Sequence, residues 1–290
     1  MNFPGSVSFL FPHCIRWRVR RYLERRKQIR IWQPRTEKVL LARENSALER
    51  VPDAGKVING FQIMHNGIRV VEDCYYGPGM TDLLRQNRGC HEPREELLFS
   101  QLLKGIEPGS AIVELGAFWG FYSMWFLSSC AKGKAVLVEP DEGNLEICRR
   151  NFVANGLQGV FINASIGTCS FRCKRKTVDE ILASEGLSSV AILHVDIQGA
   201  EFEMLDGATE SLRQGRIKTI FLSTHSAELH TRCLEKIASF GFNINVSVPP
   251  SESFSVDGFI LADRQSQLLD TAMIPPSEET SPLAQQVKIC

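Results

Sequence analysis

The sequence predicts an α/β fold, a doubly wound and mostly parallel sheet with helices on both faces. Three observations predict it. Short apolar runs recur at 111–115, 135–139, 160–163, 190–196 and 217–223, each long enough for one buried strand. Segments of helical spacing lie between or after them, at 119–130, 142–155, 177–185, 201–213 and 227–240. Regular alternation of this kind produces parallel neighbours, because each helix carries the chain back to the edge where the next strand begins. Third, Gly116 and Gly120 bracket the turn after the first strand, where such sheets receive ligands. Two closing runs, 243–248 and 255–262, follow with no helix between them and predict one antiparallel edge strand.

The elements before this alternation form an extension, residues 1–88. Residues 15–31 read IRWRVRRYLERRKQIRI, with eight basic side chains and Glu24 as the only acid. Ile15, Trp17, Val19, Tyr22, Leu23, Ile29 and Ile31 fit one helical face only loosely. The segment is either a helix on an anionic membrane or acidic partner, or a helix packed on the main domain with a solvated basic face. Residues 55–78 read as short strands around an Asn66-Gly67 turn. The main domain runs from 89 to 263. It opens with a helix at 91–104, with Pro93 near its start and Glu95 and Glu96 at its positive end. Residues 264–290 are polar, contain Pro275, Pro276 and Pro282, and read as a tail.

Composition narrows the function classes. Lysine plus arginine and aspartate plus glutamate number 33 each, so net charge does not call for nucleic acid, and none is expected as a partner. Nine cysteines include no C-x-x-C pair; the closest two are Cys169 and Cys173. They read as reduced thiols in a cytoplasmic protein, peripheral to a membrane if residues 15–31 bind one. No apolar run approaches the ~20 residues that cross a bilayer, and the first residues lack the basic start of a secretory signal.

The strand ends carry a cofactor site. The first strand ends Glu114-Leu115-Gly116-Ala117-Phe118-Trp119-Gly120. A dinucleotide fingerprint needs a second glycine where the backbone approaches a pyrophosphate. Here that position is Phe118, so a phosphate-free nucleotide cofactor, S-adenosylmethionine, fits better. Glu114 can face its ammonium while backbone N–H groups from Gly116, Ala117, Phe118 and Gly120 receive its carboxylate. Glu139, ending the second strand, can accept both ribose hydroxyls. Asn163, ending the third, can meet the adenine edge.

Four stretches resemble the FkbM-type methyltransferases, which are class I O-methyltransferases with a Rossmann-like fold. They are VELGAFWGFYS (113–123), EPDEGNLEICRRNFVANG (139–156), TVDEIL (177–182) and HVDIQGAEFEMLDGA (194–208). The last matches the family's Asp-x-x-Gly-Ala-Glu segment as Asp196, Gly199, Ala200 and Glu201. GCHEPREE (89–96), THS (224–226) and DGF (257–259) are similar to a subgroup of that family. Members often carry lysine two residues before the aspartate and glutamate two after it; here those positions are His194 and Gln198. The resemblance implies methyl transfer to a hydroxyl on a sugar, polyketide or other small molecule.

Such a reaction needs an oxygen in line with the C–S bond and a group to take its proton. His225 and Asp196, ending adjacent strands, are the candidate bases; Asp196 also borders the cofactor. His91, Glu95, Glu96 and Glu201 are the candidate substrate contacts. No metal is expected to be required. A magnesium-assisted reaction on a diol is the alternative, with His91, Asp196, Glu201, His225 and His230 available, but no paired acidic signature follows the fourth strand. Two rival functions are a cofactor-binding module without chemistry and an NAD-dependent oxidoreductase; Phe118 weighs against the second.

Overall fold

The computed structural model describes residues 13–167, 175–253 and 257–264, with side chains from residue 18 onward. The Cys169–Cys173 pair and the tail beyond Arg264 lie outside the described residues.

The chain begins with a 28-residue helix, α1 (His13–Leu40). A small antiparallel sheet follows, β1 (Val57–Ile58), β2 (Phe61–Ile63) and β3 (Arg69–Val71), then α2 (Pro78–Gln86) and α3 (Pro93–Leu103). The alternating part comprises β4 (Ala111–Leu115), α4 (Phe121–Ser129), β5 (Lys134–Val138), α5 (Glu142–Ala154) and β6 (Val160–Ile162). A two-stranded pair, β7 (Ser165–Ile166) and β8 (Arg175–Lys176), precedes α6 (Val178–Ser184) and β9 (Val190–Val195). Then come α7 (Glu201–Asp206), α8 (Thr209–Arg213), β10 (Ile217–Thr224), α9 (Ala227–Ser239), β11 (Asn243–Val248) and β12 (Gly258–Asp263).

Seven strands form the main sheet in the order β6-β5-β4-β9-β10-β12-β11. β4, β5, β6, β9 and β10 are parallel neighbours, and β12 runs antiparallel to both β10 and β11. This is a doubly wound, Rossmann-like sheet, as the sequence predicts. The antiparallel strand expected at the edge lies at that margin, inserted between β10 and the last strand, β11. Strand order reverses between β4 and β9, which opens a crevice at their C-terminal ends.

Alternation along the strands builds one core on each face. Ala111, Val113, Leu115, Leu193 and Val195 pack with Ile181, Met204, Leu212 and Ile237 from α6 to α9. Ile112, Ile192 and Phe221 point the other way, among Phe99, Trp125 and Phe126. The period of two explains why these strands read as continuous apolar runs: both faces are covered.

Three local predictions change. The helix expected at 201–213 is two helices, broken at Gly207, where a Cβ would meet Thr177 at 3.1 Å. The helix at 178–184 is entered through a Thr177–Glu180 capping box, and not through Asp179. Asp179 instead accepts the N–H groups of Glu210 and Ser211, capping α8 from its neighbour. The extension also contains α2, which strand spacing did not anticipate. Its Gly79 lies against the Trp32 ring of α1, leaving no room for a Cβ. Asn151, fully buried in α5, fastens this extension to the main sheet: it accepts from Val71 N–H and donates to Trp119 carbonyl.

Candidate active site

Three strands share one row at the crevice. Glu114 of β4 pairs in register with His194 of β9, and His194 with Phe221 of β10. All three line a cavity of about 450 Å³. Its floor is the 116–119 turn, one wall is Glu139, Asn144, Ala164 and Ser165, and the opposite wall is Glu92, Glu95 and Asp196. Tyr75 and Tyr76 close it from the extension. Tyr75 stacks on Trp119 with ring centroids 4.3 Å apart, and Tyr76 lies 5.5 Å from Phe118.

The turn owes its shape to close packing. Gly116 has φ +75° and a Cβ there would strike the Asp196 carbonyl, so β4 and β9 can approach only with glycine at 116. Gly120 has φ +73°, and its Cβ would meet Cys148 Sγ of α5 at 2.5 Å. Phe118 adopts φ +41°, unusual for a bulky residue, and donates its N–H to Glu139 Oε2 at 3.0 Å. The N–H groups of Gly116 and Ala117 go to Val138 carbonyl, and that of Gly120 to Ala117 carbonyl. The expected backbone cradle for a carboxylate is therefore used up within the fold at 116, 117, 118 and 120.

Glu114 is buried and accepts Ser123 N–H at 3.0 Å; burial pushes its carboxyl up to about 7. Glu139 accepts from Phe118 and Asp141 N–H, and a carboxylate's remaining lone pairs leave room for further donors. Asn163 departs from expectation. Its amide donates to the carbonyls of Glu139 and Pro140, and the cavity wall there is Ala164 and Ser165.

The acid–base residues fall into two clusters. In the first, His225 Nδ1 is 2.5 Å from Glu201 Oε1, and its Nε2 lies 3.2 Å from Asp196 and 3.6 Å from Asp257. Burial alone would lower the His225 pKa, but Asp196 and Glu201 raise it to about 10. His225 is thus an imidazolium near neutral pH, with no lone pair to accept a proton, and it lies behind the cavity lining. The expected base His225 thus stands outside the lining, with both ring nitrogens against carboxylates. Gln198 Nε2 lies 2.8 Å from His225 Nε2 and donates to Asp196 Oδ1 at 3.4 Å; beside an imidazolium the amide would present its oxygen instead. Glu201 is fully buried, holds His225 and Gly199 N–H, and does not line the cavity as a substrate contact would. Asp196 does line it.

In the second cluster His91 lies between Glu96 (2.7 Å) and Glu92 (3.3 Å). Burial would lower the His91 pKa, but Glu92 and Glu96 raise it. Glu96 sits below the cavity. Burial opposes its charge, yet His91 and His65 hold it well below the usual carboxylate range. It also accepts the N–H groups of His91 and Glu92, so it positions the wall and is not part of it. His91 and Glu95 line the cavity. Burial, then the neighbouring Glu92 charge, pushes Glu95 up to about 8. Among the described residues no three His, Cys, Asp or Glu side chains are arranged to hold a metal.

Residues 173–244 match the family model described as the methyltransferase FkbM domain. The match covers about a quarter of the chain and includes β9, β10 and the segment between them. The cofactor is S-adenosylmethionine and the activity methyl transfer. No curated protein gives a significant match. Among solved structures, the chain is similar to precorrin-6y C5,15-methyltransferase from Geobacter metallireducens (13% identity, TM-score 0.42, covering 59% of this chain and 87% of that one). It is similar to M. capricolum TrmK in complex with S-adenosylhomocysteine (13% identity, TM-score 0.42, 59% and 71%). It also resembles ribosomal protein L11 methylase from Lactobacillus delbrueckii subsp. bulgaricus (12% identity, TM-score 0.41, 60% and 80%). Likeness at this level says nothing of what this chain methylates.

The cavity lining, most of it outside residues 173–244, suits S-adenosylmethionine in the groups it offers. It offers buried carboxylates at the ends of β4 and β5 for cationic and hydroxyl donors, and no free N–H cradle at 116–118 for a pyrophosphate. A pH effect follows from Glu114. An ammonium beside it favours the ionised form, so binding must expel the carboxyl proton below about pH 7. Cofactor affinity measured by calorimetry should fall toward tenfold per unit as pH drops below 7, and Glu114→Gln should flatten the dependence. A wild-type profile that stays level from pH 5.5 to 7 would remove the ammonium from this position.

Sequence reasoning missed Tyr75, Tyr76, Glu92, Tyr122 and His194 as cavity residues. Glu92 touches Tyr122 Oη and His91 Nε2, each at 3.3 Å, and lies 3.8 Å from Arg35 of α1. Only the HEPREE run hinted at it. His194 is held neutral, its pKa lowered to about 4 by burial among Tyr122, Phe99 and Phe221. An ammonium at that position would be desolvated in this aromatic wall.

Proposed function

We propose that this methyltransferase acts on a hydroxyl of a small polar molecule held between Asp196 and Glu92. The observation that supports it is that these two acceptor side chains, with Glu95, line one cavity of about 450 Å³. Carboxylates accept hydrogen bonds from hydroxyls and can take the proton that leaves as the ether forms. Bound S-adenosylmethionine supplies the activated methyl group. Glu114 holds its ammonium and Glu139 its ribose, while Ala164 and Ser165 border the adenine and Asn144 adds a polar edge. Tyr75 and Tyr76 exclude water from above, and Asp196 accepts the acceptor's proton. Glu201 and His225 keep Asp196 turned into the cavity.

The test is release of S-adenosylhomocysteine by the purified chain with sugars, polyols and phenols, set against amines, carboxylates, RNA and protein, with the methylated atom located by NMR. Turnover confined to the second group would sink the proposal; cofactor binding without any turnover would favour a binding module. Glu139→Ala should weaken cofactor binding at least tenfold, about 1.4 kcal/mol, since it removes the ribose acceptor and frees Phe118 and Asp141 N–H together. Unchanged calorimetric affinity would displace the ribose from Glu139.

A further inference from the structure

We infer that α1 docks this enzyme on an anionic lipid surface. Its last two turns are part of the enzyme: Thr36 and Val39 are buried, Trp32 lies 5.7 Å from Tyr76, and Arg35 lies 3.8 Å from Glu92. Arg25 fastens the middle of the helix to Glu72 and Asp73, just before the Tyr75–Tyr76 lid. The described turn before Arg25 keeps three large apolar side chains exposed. Val19 is 51% exposed and Tyr22 and Leu23 are each 58% exposed.

These three residues stand at i, i+3 and i+4, so they share one stripe of the helix surface. At 100° per residue Arg20 and Lys27 fall on one flank of the stripe and Arg18 on the other, and Arg26 lies over the Tyr22 ring at 5.8 Å. Eight basic residues against one acid in 15–31 give the segment a strong positive field. A packed helix with a solvated basic face would bury its apolar side; here that side is bare. Arginines around an exposed aromatic and two aliphatic residues match the boundary of an anionic bilayer, where apolar groups enter the acyl region and guanidinium groups meet lipid phosphates. A nucleic acid would use the arginines and leave Val19 and Leu23 in water. No described helix is long and apolar enough to cross a membrane, so the contact is peripheral. The same rigid helix then holds the cavity lid beside the lipid headgroups.

The experiment is co-sedimentation of the full chain with phosphatidylcholine vesicles containing about one third phosphatidylserine, against pure phosphatidylcholine, at low and high salt. The wild type is expected to bind the anionic vesicles at least tenfold better, with added salt weakening it. The double variant Tyr22→Glu, Leu23→Glu is expected to lose at least tenfold in vesicle binding. Its affinity for S-adenosylhomocysteine should be unchanged, which separates docking from folding and from the methyl-transfer reading. Three results would overturn the inference: no sedimentation of the wild type, equal sedimentation of the double variant, or displacement from vesicles by a short RNA that binds more tightly.

Discussion

Asp196→Asn is expected to keep affinity for S-adenosylhomocysteine within about threefold while lowering kcat by roughly 10²–10⁴, the usual worth of general-base help. The side chain borders the cavity at the end of β9, beside the Gly116 turn, and is held from behind by His225 at 3.2 Å. Asparagine preserves volume and the contact to His225 but cannot take a proton. The acceptor would be the one identified by product release, and single-turnover rates would separate chemistry from release. His225→Gln serves as the discriminating comparison. If Asp196 takes the proton, His225→Gln should cost less than Asp196→Asn, because it disturbs orientation alone. Retention of more than about a tenth of kcat by Asp196→Asn would transfer the base role to Glu92 in the same cavity, and Glu92→Gln would then show the loss.

The fold was legible because both sheet faces are covered, which leaves β4, β5, β9 and β10 as short uninterrupted apolar runs. The floor of the cavity was legible for a related reason. Residues ending successive parallel strands meet at one edge, so Glu114, Gly116, Glu139 and Asp196 can be brought together by counting strands. The roof was not. Tyr75 and Tyr76 belong to a segment whose partners, Trp119 and Phe118, are more than 40 residues away in sequence and connected by no strand order. Local spacing could not show that an extension folds over the crevice. Glu96 and Glu201 illustrate a second limit. Their neighbourhood was right but their depth was not, because both sit fully buried beneath the cavity, where each pairs with the histidine it fixes. A motif shows which residues gather, while the protonation state depends on burial and partners. His225 reads as a candidate base in sequence, and two carboxylates at hydrogen-bonding distance favour its protonated form.

That same cluster sets the largest expected effect on stability. A histidine whose pKa rises from 6.5 in the unfolded chain to about 10 in the folded one binds its proton more tightly when folded. The stabilisation is complete below pH 6.5 and disappears as pH rises through about 10. Its upper bound is about 5 kcal/mol, declining by roughly 1.4 kcal/mol per pH unit across that window. His225→Gln removes it and leaves Glu201, fully buried, without its cationic partner. Chemical unfolding of both proteins at several pH values isolates the effect, because lysine, tyrosine and cysteine titrations common to the two cancel in the difference. The wild type should exceed His225→Gln by several kcal/mol at pH 7, and the gap should close steadily as pH approaches 10. A gap independent of pH would mean that His225 contributes by packing and by neutral hydrogen bonds. In that case its Nε2 would carry a lone pair near neutrality, and the imidazole would return as a candidate to accept the acceptor's proton through Asp196.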